Sequence, residues 1–196
     1  MRLLLLARHG RSVFNVDGVV NGDPTLDRGL SPEGTAEALE LGIQLAALRI
    51  DVTVVSRFVR AQATAELALR GRDVPLVVDP DLDDIRIGEL EGRALEDYRT
   101  WKHAHRRDEP FPAGESLDDA ARRYADAFER LVGRPEQTIL AVCHEIPVRY
   151  AVNAAASSEQ LDAPVHDVEN ARPYLFDESS MVRAIGRIRQ LARPSL

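Results

Sequence analysis

Cys143 is the only cysteine in the chain. That excludes an intrachain disulfide and any multi-cysteine metal site. It fits a reducing cytoplasm, and Cys143 itself reads as a small core residue. No apolar run approaches the roughly 20 residues a membrane helix needs. The N-terminal run Leu3–Ala7 lacks a small-residue cleavage site and leads straight into the fold, so it is not read as a secretory signal. No membrane partner is expected, and the location expected is cytoplasmic. Lysine is nearly absent: Lys102 is the only one among 25 basic residues. The formal net charge of -7 leaves no broad basic face for nucleic acid, although one local basic pocket is compatible with it. His103 and His105 are two apart and do not share a helix face, so no metal site is expected there.

What is present is a soluble-protein composition, 44% hydrophobic and 29% charged over 196 residues, enough for one domain with a real core. The organising stretch is Leu3-Leu4-Leu5-Leu6-Ala7-Arg8-His9-Gly10. A short apolar run halted by Arg, His and Gly reads as a central strand whose carboxyl end carries polar side chains. In open α/β sheets ligands bind beyond such ends. Residues 11–30 read as a loop walling the same strand end, with Asn15 either a ligand contact or a turn-former. A helix is predicted from Ser31 to Leu48, with Ser31 as N-cap and Pro32 at the first position.

Val52–Val55 is the second strand. It ends at Ser56-Arg57 and feeds a helix over Val59–Leu69 that carries Arg60. Arginines where a strand turns into a helix suit an anion. Arg60 is the better candidate and Arg57 the better surface residue. A third strand is predicted at Val74–Val78. After it come the carboxylates Asp79 to Asp84, mostly solvated, and a glycine-bracketed loop Gly88–Gly92. Residues 93–107 read as a charged helix, and Leu117–Val132 as a clear one behind the capping pattern of Ser116 and Asp119. A fourth strand, Thr138–Cys143, ends at His144 and precedes a helix over Val148–Ala156. Residues 168–176 suggest an edge strand, and 180–191 read as helix or strand.

Two strand-terminal histidines with strand-terminal arginines converge only in a largely parallel sheet, which the alternation of strands and helices independently suggests. The constellation Arg8, His9, Arg60, His144 and one carboxylate suits phosphoryl transfer. The cations neutralise the phosphoryl group, an imidazole attacks phosphorus, and a carboxylic acid protonates the leaving oxygen.

These residues resemble the histidine phosphatase superfamily, which includes the cofactor-dependent phosphoglycerate mutases. The resemblance lies in Leu6-Ala7-Arg8-His9-Gly10 with Ser12 and Asn15, Ser56–Thr64, Gly88–Gly92, Gly114-Glu115-Ser116-Leu117 and Val142-Cys143-His144. It covers about three quarters of the chain, in the family's order. It implies a three-layer α/β/α sandwich with a mainly parallel sheet, as one domain over 1–196 with a small cap around 93–114. It implies His9 as nucleophile, with Arg8, Arg60 and His144 as phosphate ligands. Asn15, Asn21 and Gly22 line the substrate side. Counting from Gly88 places the acid at Asp84, where this branch mostly has glutamate. Glu145, directly after His144, is the alternative, because a related branch keeps its proton donor there as aspartate.

The activity implied is that of a metal-independent phosphomonoesterase acting on a small phosphorylated metabolite, with no cofactor. The short 93–114 segment favours it over a bisphosphate-dependent phosphoglycerate mutase. A non-catalytic phospholigand-binding protein is the third reading. The sequence leaves a homodimer open.

Overall fold

The computed structural model describes residues 1–192 of the chain; residues 193–196, the end of the domain expected over 1–196, lie outside the described part. Five strands form one sheet: β1 (Leu3–Arg8), β2 (Val52–Val55), β3 (Leu76–Val78), β4 (Thr138–Cys143) and β5 (Pro173–Asp177). Their order is β3-β2-β4-β1-β5. All neighbours are parallel except the edge pair β1–β5, which is antiparallel.

The central strands are apolar on both faces, and their period of two sorts the side chains between layers. Leu4, Leu6, Ile139, Ala141 and Cys143 belong to one core cluster, with residues of α5 (Leu117–Val132), α6 (Glu145–Ala155) and α7 (Glu178–Leu191). Leu5, Ala7, Leu140 and Val142 belong to the other, with α2 (Pro32–Gln44) and α3 (Val59–Ala68). The result is a three-layer α/β/α sandwich. Two further helices stand at the carboxyl end of the sheet: the short α1 (Val13–Asp17) and α4 (Leu95–Ala104).

The element boundaries differ from the predictions where local chemistry was under-read. Inside the 11–30 loop, Ser12 and Asn15 form a reciprocal capping box that starts α1. Helix α6 begins at Glu145 rather than Val148, because Pro147 sits in the first turn, where no backbone N–H is needed. The undecided segment 180–191 is helical, and its Asp177 N-cap accepts from the Ser180 N–H.

Candidate active site

The strand register brings the two histidines together. Arg8 pairs with Cys143 across β1 and β4, so His9 and His144 leave neighbouring strands at the same level. The His9 N–H donates to the Cys143 carbonyl at 2.9 Å. The two rings meet edge to face with centroids 5.3 Å apart. His9 is 3% exposed and His144 is fully buried. Gly10 serves this geometry through packing: a Cβ there would lie 2.4 Å from the Gly34 carbonyl oxygen, so the close approach is to α2.

His9 Nδ1 lies 2.7 Å from the Gly10 carbonyl oxygen. A carbonyl only accepts, so Nδ1 carries the proton and Nε2 keeps its lone pair. Arg60 Nε donates to that Nε2 at 3.0 Å. Burial, and then Arg60 and Arg8, hold the His9 pKa well below the usual imidazole range, so the ring is neutral at pH 7. His144 is likewise lowered, by burial first and Arg60 second. Its Nε2 meets Ser56 Oγ at 2.9 Å. Its Nδ1 faces Arg60 Nη2 at 3.3 Å and Asp84 Oδ2 at 3.4 Å. An ionised Asp84 draws an Nδ1–H, whereas a protonated Asp84 leaves Nδ1 to accept from Arg60. The Ser56 hydroxyl serves either tautomer, since it both donates and accepts.

Arg60 is the hub. Its guanidinium donates to the side-chain oxygen of Asn21 at 2.6 Å and to the Asn21 carbonyl at 3.1 Å. It also reaches Asp27 at 3.2 Å and Asp84 at 3.3 Å. It lies over the Phe58 ring at 4.1 Å. Asp27, with no exposed side-chain surface, further accepts the Arg60 backbone N–H at 2.8 Å. Arg57, by contrast, is half exposed and binds the buried Asp83.

Asp84 opens onto the same cleft, and burial raises its pKa against the opposing pull of Arg60. Its position is fixed from behind. Arg123 of α5 donates to the carbonyls of Asp81 and Asp83 at 2.8 and 2.9 Å. Glu115 pairs with Arg123 and accepts the Arg86 N–H. Glu145 lies elsewhere in the cleft, 3.0 Å from Arg8 and 2.7 Å from Arg149.

The cleft has a volume of about 480 Å³, and Arg8, His9, Arg60, Asp84 and Glu145 line it. Asn15, Asn21 and Gly22 line it too, but most of their polar groups are spoken for. Asn15 Oδ1 accepts the Ser12 N–H at 3.0 Å. Asn21 Nδ2 and the Gly22 N–H both donate to Glu91, each at 2.7 Å. Gly22 must be glycine, because a Cβ would sit 2.2 Å from the Ile85 carbonyl oxygen. Sequence reasoning gave no site role to Ser56, Asp27, Glu91 or the pair Arg123–Glu115. Ser56, Glu91 and Glu115 lie in the stretches that carry the family resemblance, and Ser56 also stands at a strand end like the histidines; Asp27 and Arg123 carried no such signal.

A parallel sheet with two buried imidazoles, an arginine and a carboxyl group at its carboxyl edge defines a phosphoryl-handling class of α/β protein. The family model for the histidine phosphatase superfamily (branch 1) matches residues 4–180, and the chain belongs to that superfamily. It is 40% identical over 136 residues to a 2,3-bisphosphoglycerate-dependent phosphoglycerate mutase of Methylobacterium sp. (strain 4-46), covering 62% of this chain and 64% of that protein, a little under two thirds of its length. Among solved structures it is similar to Bacillus stearothermophilus YhfR, with a TM-score of 0.78 at 27% identity, covering 88% of this chain and 89% of the other. It also resembles the alpha-ribazole phosphatase of Shigella flexneri, with a TM-score of 0.77 at 26% identity, covering 89% and 90%.

Proposed function

We propose that the protein is a metal-independent phosphomonoesterase working through a phosphohistidine on a small phosphorylated metabolite. The observation that carries this reading is the pair of buried imidazoles bridged by Arg60, with Asp84 beside them.

His9 Nε2 attacks phosphorus as the ester P–O bond breaks, and protonated Asp84 gives its proton to the leaving alcohol. Arg60 gives up its contact with Nε2 as the phosphoryl group arrives. Arg8, Arg60 and His144 then take up the equatorial oxygens, where charge is best met by fixed donors. In the second half, water attacks phosphorus and passes a proton to the Asp84 carboxylate. The P–N bond breaks and inorganic phosphate leaves. Asp84 is preferred to Glu145 as the acid because its pKa is raised, while Glu145 is held by two guanidiniums.

The test is hydrolysis of p-nitrophenyl phosphate in the presence of a chelator. Turnover is expected, and His9→Ala should abolish it. Binding of phosphate without turnover would contradict the reading and favour a binding module. The likeness to a mutase supports a second reading. Interconversion of phosphoglycerates stimulated by a bisphosphate would select it.

A further inference from the structure

We infer that Glu145 is a specificity-determining residue that turns this cleft against esters carrying a second negative charge near the phosphate, leaving monoesters of neutral alcohols as the favoured class. This deepens the phosphomonoesterase reading and rests on it.

Glu145 follows His144 directly and opens α6, where the helix dipole favours a carboxylate. Its two oxygens are divided between two cations of the cleft wall. Oε2 lies 3.0 Å from Arg8 Nη1, and Oε1 lies 2.7 Å from Arg149 Nη1. The pattern continues outward. Arg149 Nη2 is 3.1 Å from Asp162, which also holds Lys102 at 2.9 Å and pairs with Arg107. Arg149 and Lys102, cations beyond the phosphoryl pocket on this wall, are therefore each already paired with a carboxylate of the chain, Asp162 serving both. Arg99 stands further out, its side chain 59% exposed, where solvent screens it.

A carboxylate or second phosphate on the substrate would have two options. It could displace Glu145 from both guanidiniums, or it could lie beside Glu145 as a like charge in a partly buried site. Either is unfavourable. An uncharged group meets no such penalty, and Phe14, Val20, Ile87, Leu95 and Tyr98 offer it a largely apolar wall.

Glycerol 1-phosphate and 3-phosphoglycerate test this, since they share a carbon chain and differ by a hydroxymethyl group in place of a carboxylate. The wild type should favour glycerol 1-phosphate in kcat/KM by about tenfold or more, and Glu145→Gln should shrink that ratio by about fivefold or more. Were Glu145 instead the acid, the substitution would slow both esters alike and leave the ratio unmoved. A wild-type ratio near one, a preference for 3-phosphoglycerate, or a ratio unchanged in Glu145→Gln overturns the inference. If Glu145→Gln does not fold, the wild-type ratio decides alone. Turnover of neither ester would instead count against the phosphomonoesterase reading. The two compounds are then compared as ligands by calorimetry, with the same ratio in dissociation constants expected and the same reversal overturning it.

Discussion

The two ends of the cleft are built differently. At the sheet end the groups come from the carboxyl edge of parallel strands and the turns that follow, and apart from the buried Arg8 Nε, which has no partner among the described residues, the histidine, Arg60 and Asp84 side chains are tied to one another. Arg60 alone touches His9, Asn21, Asp27, Asp84 and His144. At the cap end the wall is α4, a helix with no fully buried residue. It is steadied by Tyr98 and Trp101 against Phe111, and by backbone bonds from residues 18–20 to 92–95. The Tyr98 hydroxyl is buried without a partner among the described residues. The lesson is a division of labour. The sheet end has geometry too constrained to vary without loss, as chemistry requires. The cap end is held by ring stacking and a few backbone bonds, fewer ties than the sheet end has.

Substitutions at the sheet end should therefore cost far more than those at the cap. His9→Ala should lower turnover of any good substrate on the order of 10⁴-fold or more, the scale of losing a covalent nucleophile. Retained activity would remove His9 from that role. Asp84→Asn should slow alkyl phosphates by about 10²–10⁴-fold and p-nitrophenyl phosphate much less, since a good leaving group needs little protonation. Equal slowing of both would direct attention to Glu145. Arg60→Ala should weaken inorganic phosphate and vanadate by roughly 10–100-fold, measured as inhibition or by calorimetry, because charge-assisted hydrogen bonds are lost. Unchanged affinity would make Arg60 merely structural.

The buried histidines also make the sheet end the acid-sensitive part of the fold. Unfolded, each takes up a proton near pH 6.5. Folded, both resist it, because burial and Arg60 lower their pKa values. The unfolded state thus binds more protons at these two groups below that pH, so the histidines' contribution to stability is complete above about pH 6.5 and is lost as the pH drops further, while the raised Asp84 acts in the opposite sense at lower pH. Thermal melts from pH 7.5 to 5 check this, and a His144→Gln variant that folds should show a shallower decline. The smallest effect belongs to the cap: Tyr98→Phe removes an unpartnered hydroxyl and should leave stability within about 1 kcal/mol. A larger loss would show that the cap end is tied as firmly as the sheet end.

The sheet end was legible because its signals are long and redundant. Leu3–Ala7 and Thr138–Cys143 are largely apolar runs leading into Arg8-His9 and His144, and the alternation of strands and helices pointed to a parallel sheet; that the two strands are neighbours is seen only in the structure. The supporting residues were not legible. Asp27 is a single carboxylate in a loop, and nothing local distinguishes a buried anchor for Arg60 from a solvated surface charge; Glu91 stands in the glycine-bracketed stretch, but nothing there marks which of its two glutamates binds Asn21. Asp83 illustrates the same limit: it is one of four neighbouring aspartates, yet it is buried against Arg57. The C-terminal helix did carry a signal. Met181, Ala184, Ile185 and Ile188 recur at helical spacing on its buried face, but Gly186 and the mixed flanking residues masked it.

The central claim is that His9 carries the phosphoryl group between the two half-reactions, and trapping that species tests it most directly. Rapid quenching of the protein with a radiolabelled phosphate ester, followed by peptide mapping, should find an acid-labile, alkali-stable phosphoryl group on the peptide containing His9, absent from His9→Ala. Label on another residue, or steady turnover with no label on His9 at any quench time, would contradict the account.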